Sequence, residues 1–267
     1  MNGFDRTILL WVNQFAGRSE FFDVCVRALD LNLLKGGVFA TALLWAWNAA
    51  GSERQRRRQI IVATVVAALC AIAAGRGLAA LLPFRPRPAF RSDLVFVPPI
   101  GTVSDMLRTW SSFPSDHAMF FGALATGLGF ISVRAGVLAH VYALLVILAP
   151  RIYLGKHHPT DILAGYALGV LFAVVANRPQ HQLRLSSAPL RWAQQRPAVF
   201  HAMAFLLMFQ FATMFDDAKE IMSAGARVGH VVATRVGIGG TRVPSTFTLA
   251  VQPGAPTSRT ASALQLK

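Results

Sequence analysis

Residues 60–82 read IIVATVVAALCAIAAGRGLAALL, an apolar run in which Arg76 is the single charged residue. A helix that crosses a bilayer needs about 20 mostly apolar residues, so this run is long enough to span a membrane. Five further blocks approach that length, although one of them is short. They cover residues 33–50, 115–133, 135–150 (the short block), 159–176 and 197–215. The pattern predicts an all-α fold, a polytopic membrane bundle of about six transmembrane helices.

The composition of the whole chain is also typical of a membrane protein. Hydrophobic residues make up 54% of the 267 residues, charged residues only 14%, and the mean hydropathy is +0.47. Soluble domains carry about 25% charged residues. A soluble fold would have to expose much apolar surface, and a disordered chain would not be this apolar. The two cysteines, Cys25 and Cys70, are too few for a disulfide framework or a zinc site.

The two ends of the chain differ from its centre. Near the start, Phe4, Ile8, Trp11 and Phe15 recur at helical spacing in a segment too short to span, which favours a helix lying in the membrane interface. The end of the chain has no run long enough to cross a membrane. We therefore divide the chain into an N-terminal interfacial segment (1–31), a six-helix membrane domain (32–216) and a poorly specified tail (217–267).

The basic residues of the loops predict the orientation of the bundle. Cytoplasmic loops carry an excess of Lys and Arg. Arginines crowd residues 51–59 and 177–196, and Arg134 follows the third span; all three loops fall on one side of a six-span chain. The opposite side, which holds 83–114 and 151–158, is also basic. Those bases contradict the rule unless they have another function.

The first candidate motif is PFRPRP at residues 83–88, at the outer end of the second span. Its prolines fix the backbone, so Arg85 and Arg87 are carried on a stiff turn. Arginine suits phosphate because its planar guanidinium donates two hydrogen bonds and stays charged. An interfacial stop signal is the alternative for this motif. Arg76, inside the span, is a candidate functional residue, with snorkelling to the interface as its alternative.

The second motif is WSSFPSDHA at residues 110–118, which opens the third span. Ser115 is a typical helix cap. The free N–H groups at this helix start face the same side as the first motif, and they favour an anion. His117, in the first turn, could donate a proton to a leaving oxygen, or it could be an ordinary interfacial histidine.

The third motif is RIYLGKHHPTD at residues 151–161, between the fourth and fifth spans. His157 and Asp161 are four residues apart at a helix start. The carboxylate can therefore hold one imidazole nitrogen and leave the other free as a nucleophile. A helix cap with a chance His–Asp pair is the alternative.

Taken together, the three motifs resemble the signature of the type 2 phosphatidic acid phosphatase superfamily, which also includes the vanadium haloperoxidases. The resemblance covers about residues 76–170 and rests on the order and spacing of three segments. They are Arg87-Pro88, Pro114-Ser115-Asp116-His117, and Arg151 followed by His157 and Asp161.

The resemblance implies a phosphohydrolase that needs neither metal nor cofactor. In such an enzyme the residue matching His157 attacks phosphorus, the one matching His117 protonates the leaving group, and the one matching Asp161 orients the nucleophile. Phosphate-binding roles carry over to the residues matching Arg87, Ser115 and Arg151.

Three positions depart from the family pattern. Ala80 stands where the family usually has a lysine, so Arg76 or Arg85 would supply that charge to phosphate. Pro150 replaces the usual serine, and Asp116 replaces the commoner glycine. We count Asp116 with the phosphate site because it can cap the helix there, although its carboxylate would repel phosphate if it turned inward.

The resemblance also implies partners and a location. The expected substrate is a membrane lipid phosphate or diphosphate, with undecaprenyl diphosphate favoured and phosphatidate or phosphatidylglycerol phosphate as alternatives. We expect a multi-pass protein of the inner (plasma) membrane, with its site on the outer face and the lipid bilayer, but no nucleic acid, as a partner. The oligomeric state stays open. A transporter, a non-catalytic scaffold for anionic lipids and a haloperoxidase are the rival interpretations.

Overall fold

The computed structural model describes residues 1–99 and 108–213, and within them the protein is helical. In chain order the helices are α1 (Gly3–Asn13), α2 (Glu20–Leu29), α3 (Leu33–Asn48), α4 (Arg54–Leu81), α5 (Asp116–Ile131), α6 (Val133–Tyr153), α7 (Pro159–Ala176), α8 (Pro179–Gln195) and α9 (Pro197–Ala212). The described residues contain no strand, so the predicted all-α fold is confirmed. The predicted tail at 217–267 lies outside them.

Three helices are long and apolar enough to cross a membrane, namely α4, α6 and α7. A fourth crossing results if α2 and α3, which meet at an angle of 48°, are counted as one broken span. Helices α5 and α9 are apolar but have only 16 residues each. Every one of the six predicted blocks therefore contains a helix, while the count of six crossings stays a prediction.

Helix α6 is longer than the sequence pattern indicated. The apolar block at 135–150 is short, but the helix continues to Tyr153 through a π-helical stretch at Ala143–Leu148. Arg151 does not end it, because that side chain is buried by the protein. The end of α6 therefore brings Arg151 into the interior of the bundle.

Helix α5 lies at the centre of the bundle and packs against α4, α6 and α7. The contact with α7 is close because two positions on α7 are glycine. A Cβ atom on Gly169 would lie 2.0 Å from the carbonyl oxygen of Met119, and one on Gly165 would lie 2.6 Å from that of Ser115. Small residues let helix backbones approach in this way. The two helix starts that carry the second and third motifs are thereby held together.

Helix α1 forms as predicted, but its polar face is turned inward. Asp5 and Asn13 are buried together with Leu9, whereas Phe4 and Trp11 are exposed. The same arrangement occurs in α2, where the aromatic side chains lie outside and Asp23 is fully buried. An apolar outer face suits a helix in contact with lipid. The inner polar faces contact the loops that carry the candidate motifs.

Candidate functional site

The loop between α6 and α7 places His157. Gly155 has a φ of +67°, a conformation that side chains other than glycine rarely adopt. The backbone N–H groups of Lys156 and His157 then donate back to the carbonyl oxygen of Arg151, at 2.9 and 3.3 Å. Pro159 begins α7 directly afterwards. This tight turn directs His157 into the protein, where only 4% of its surface is exposed.

Both ring nitrogens of His157 have a defined partner. Its Nδ1 lies 3.0 Å from the carbonyl oxygen of Ser112, and its Nε2 lies 3.2 Å from Nη1 of Arg87. A carbonyl oxygen only accepts and a guanidinium only donates, so these contacts assign the proton to Nδ1 and the lone pair to Nε2. The nitrogen that carries the lone pair is the one available for nucleophilic attack.

The carboxylate of Asp161 is not the direct partner of this imidazole. Its Oδ2 lies 3.8 Å from Nδ1 of His157, too far for a hydrogen bond, and instead accepts from the backbone N–H of His158 at 2.8 Å. The spacing of four residues correctly predicted that the two side chains lie near each other. It could not show that a backbone carbonyl from the second motif would take the N–H of the ring.

The surroundings of His157 keep it neutral. Burial lowers the pKa of His157 well below its usual value, and the positive charges of Arg87 and Arg151 lower it further. Each effect disfavours the charged imidazolium. At neutral pH one ring nitrogen therefore stays unprotonated, as a nucleophile requires.

Arg87 links the first motif to the third. It is buried, and its Nη1 donates to the carbonyl oxygen of Lys156 at 2.7 Å as well as to His157. Burial and the charge of Arg151 lower the pKa of Arg87 to about 10, so the guanidinium stays charged at neutral pH. A charged, mostly desolvated guanidinium next to a nucleophile is suited to hold an oxyanion.

The N-terminus of α5 meets the start of α7. The side chain of Ser115 caps α5 by accepting from the N–H of Ala118 at 3.5 Å, and the backbone N–H of Ser115 donates to the carbonyl oxygen of Asp161 at 3.1 Å. His117 lies in the first turn of α5, partly exposed. The helix start, with its favourable dipole for anions, thus lies beside the third motif.

Arg76 and Asp116 form an ion pair with each other. Nη2 of Arg76 lies 2.7 Å from Oδ1 of Asp116, and its Nε donates to the same oxygen at 2.9 Å. The guanidinium also lies over the ring of Trp110, 5.4 Å from its centroid. Arg76 therefore does not snorkel away from the site, and the carboxylate of Asp116 is neutralised by it.

Arg85 is held by carboxylates. Its Nη1 donates to Asp161 at 2.5 Å and to the hydroxyl of Thr160 at 3.0 Å, and its Nη2 donates to Asp5 at 2.5 Å. Both ends of the guanidinium are thus engaged. This geometry disagrees with the expectation that Arg85 binds phosphate, and it suits a residue that positions Asp161.

Sequence reasoning missed the contribution of the N-terminal segment. Asp5 also accepts from the N–H and hydroxyl of Thr160, at 2.9 and 2.7 Å. Asp23 accepts from the hydroxyl of Tyr153, and Asp30 contacts both Arg151 and Lys156. The acidic residues that stand between aromatic ones in this segment could have indicated this contribution. Their partners, however, lie more than a hundred residues away along the chain in most cases.

Arg87, Ser115, Arg151, His157 and Asp161 are therefore gathered into one buried region, with Arg76 and Asp116 paired at its side. Within residues 1–99 and 108–213, no group of three or more His, Cys, Asp or Glu side chains is arranged to hold a metal ion.

Comparison with known families agrees with the resemblance that the motifs indicated. The model of the PAP2 superfamily matches residues 60–184, a segment that contains all three motifs. A search of curated proteins and a search of solved structures each found no match. The match implies phosphatase activity, and the apolar helices indicate a membrane protein. Residues 60–184 of this chain are therefore similar to the PAP2 superfamily.

Proposed function

We propose that the protein is an integral membrane lipid phosphatase that works without a metal ion through a phosphohistidine. The observation that carries this proposal is the arrangement of His157: its Nδ1–H donates to the carbonyl oxygen of Ser112 while its Nε2 lone pair lies beside Arg87. A neutral, oriented imidazole next to a buried guanidinium combines a nucleophile with a ligand for the group that it attacks.

In the first step Nε2 of His157 attacks the terminal phosphorus in line with the leaving oxygen. The N–P bond forms as the P–O bond to the lipid breaks, and His117 gives its proton to the leaving oxygen. Arg87, Arg151 and the N-terminus of α5 with Ser115 hold the phosphoryl oxygens. Stabilising charge on these oxygens is the main contribution a protein makes to phosphoryl transfer.

In the second step water attacks the phosphorus of the phosphohistidine. His117, now neutral, takes a proton from that water, the N–P bond breaks, and phosphate leaves with His157 restored. Asp161, fixed by Arg85 and by the backbone of His158, stabilises the positive charge that develops on the ring, although it lies 3.8 Å away. Arg76, paired with Asp116 at the side of the site, keeps that carboxylate away from phosphate.

Our favoured substrate is undecaprenyl diphosphate, with phosphatidate and phosphatidylglycerol phosphate as alternatives. A site at the end of a helical bundle can take a head group while the lipid chain stays in the bilayer. The sequence WSSFPSDH at residues 110–117 resembles the bacterial branch that acts on such prenyl lipids. We place the protein in the inner (plasma) membrane with its site on the outer face.

The test is phosphate release by the full-length protein, purified in detergent and assayed in excess EDTA. Undecaprenyl diphosphate and phosphatidate are compared in parallel. We expect turnover by the wild type, none by His157→Ala, and normal turnover by the control His201→Ala, which alters an exposed histidine on α9. Labelled lipid phosphate should also leave acid-labile label on the wild type and on His201→Ala, but not on His157→Ala.

A strict metal requirement would overturn the proposed chemistry. No turnover of either lipid by folded protein would instead favour a scaffold that binds anionic lipids without cleaving them. Equal turnover by the wild type and by His157→Ala would exclude the histidine as nucleophile.

A further inference from the structure

Asp30 lies at the break between α2 and α3, and three basic side chains surround it. Nζ of Lys35 lies 3.2 Å from Oδ1, Nη2 of Arg151 lies 3.3 Å from the same oxygen, and Nζ of Lys156 contacts Oδ2. Lys35 and Arg151 are buried, and only 20% of the Lys156 side chain is exposed. Two lysines thus share one carboxylate, even before Arg151 is considered.

This cluster is electrically unbalanced in a place that water hardly reaches. Moving an ammonium group out of water is costly unless an anion compensates it. One carboxylate compensates one of the two lysines that share it. A negatively charged group bound next to them would balance the positive charge that remains.

The cluster adjoins the nucleophile. Lys156 directly precedes His157, and its carbonyl oxygen accepts from Nη1 of Arg87 at 2.7 Å. Arg151 belongs both to the surroundings of His157, on which its charge acts, and to the cluster around Asp30, which its Nη2 contacts. The basic region therefore extends from Arg87 through Arg151 to the two lysines, and Lys35 lies outside the segment that matches the family.

We propose that Lys35, Lys156 and Arg151 form an oxyanion subsite beside His157, with Asp30 holding the two ammonium groups in place. The ligand is a phosphate group. It is either the second phosphate of a lipid diphosphate whose terminal phosphate is attacked, or free phosphate. This inference rests on the proposed function, because the diphosphate reaches the subsite only when its terminal phosphate lies at His157.

The first experiment uses full-length Lys35→Met, which keeps the length of the side chain and removes its charge. Farnesyl diphosphate and farnesyl phosphate, which share one tail, are compared by kcat/KM, and orthophosphate is tested as an inhibitor. A loss of tenfold or more on the diphosphate, with less than threefold on the monophosphate, supports the second-phosphate source. Similar losses on both, with a tenfold higher inhibition constant for orthophosphate, support free phosphate as the occupant.

Values within twofold of wild type in all three measurements would overturn the subsite. The control is Arg134→Met, which removes an exposed charge at the opposite end of α6 from Arg151 and should change none of them. If Lys35→Met does not fold, Lys156→Met is measured in the same way, because that side chain is the more exposed of the two.

A second variant separates phosphate binding from a purely structural role. If Lys35 serves only to neutralise Asp30, the double variant Asp30→Asn/Lys35→Met should regain wild-type kcat/KM, and that recovery would overturn the inference. If the lysine binds phosphate, the double variant keeps the loss.

Orthophosphate binding measured by calorimetry needs no turnover, so it tests the subsite even if the protein cleaves neither lipid. In that case the proposed function fails. Binding that is tenfold weaker in Lys35→Met still supports the subsite, and equal binding overturns it.

Discussion

Replacing Asp5 by asparagine should weaken both the fold and the catalytic reaction. Asp5 is fully buried, and its carboxylate accepts from the N–H and hydroxyl of Thr160 and from Nη2 of Arg85. Burial opposes ionisation of Asp5, but the hydrogen bonds from Thr160 and Arg85 outweigh it and lower the pKa of its carboxyl. The group is therefore a charged acceptor at neutral pH. An amide in its place turns an NH2 group toward one of these donors.

The size of the effect follows from these contacts. A hydrogen bond to a charged group contributes about 1.5–3 kcal/mol, and breaking a buried ion pair costs about 3–5 kcal/mol. Arg85 keeps Asp161 as a partner and 23% of its side chain is exposed, so the lower part of that range applies. We expect a loss of about 3 kcal/mol in the free energy of unfolding. With 2–4 °C per kcal/mol for a chain of this size, Tm should fall by roughly 6–12 °C.

The assay compares Asp5→Asn with Asp93→Asn, which makes the same change in an exposed carboxylate paired with Arg91. Surface pairs contribute about 0–1 kcal/mol, so the control should lose little. Thermal unfolding in detergent gives Tm, and phosphate release gives kcat. We expect kcat of Asp5→Asn to fall roughly tenfold, since a small misplacement of Asp161 reaches the nucleophile. Equal Tm and kcat for the two variants would refute this reasoning.

Three further predictions test other parts of the structure. Because the pKa of His157 is lowered, kcat/KM should stay level as pH falls to 6.5 and decline only below it. The lowered pKa also stabilises the folded state. This contribution is fully present above pH 6.5, the ordinary pKa of histidine, and decreases as pH falls, because the unfolded chain then binds the proton more readily. A pH–rate profile with its acid midpoint at or above 6.5 would contradict this. Gly169→Ala should lower Tm by several degrees because its Cβ meets backbone, whereas Gly77→Ala on α4, where the space is open, should leave Tm equal or higher; the reverse order would refute the close helix contact. Arg76→Gln and Asp116→Asn should each lower kcat/KM while the double variant loses little more than the worse single one, and simple additivity would show that the pair does not act as a unit.

Much of the fold could be predicted because a bilayer imposes a length on each apolar block. The blocks at 33–50 and 60–82 correspond to α3 and α4 with small shifts at their ends. The length of α6 could not be predicted, because a charged residue such as Arg151 ends an apolar block in a hydropathy pattern even where the protein buries it. A residue's neighbours in space, which make Arg151 tolerable there, are not visible in a linear pattern.

The candidate site was only partly predictable for a similar reason. Motif spacing indicated that Arg87, His157 and Asp161 belong together, because each motif is short and lies at a helix end. Periodicity in α1 showed which residues share a face but not which face is turned inward. The acceptance of the ring N–H by a backbone carbonyl is invisible to any pattern of side chains.

The contact between Arg87 and Nε2 of His157 has a consequence for selectivity. The guanidinium of Arg87 lies 3.2 Å from Nε2, the nitrogen that attacks in the proposed mechanism, so attack would require that this hydrogen bond be broken. A phosphoryl oxygen offers Arg87 a stronger, charged acceptor in exchange. An uncharged electrophile offers Arg87 no comparable acceptor, so Nε2 of His157 would stay hydrogen-bonded to the guanidinium. If the proposed mechanism holds, Arg87 blocks the attacking nitrogen until a negatively charged substrate takes over its hydrogen bond. Selection by the charge of the head group would then precede any contact with a lipid chain.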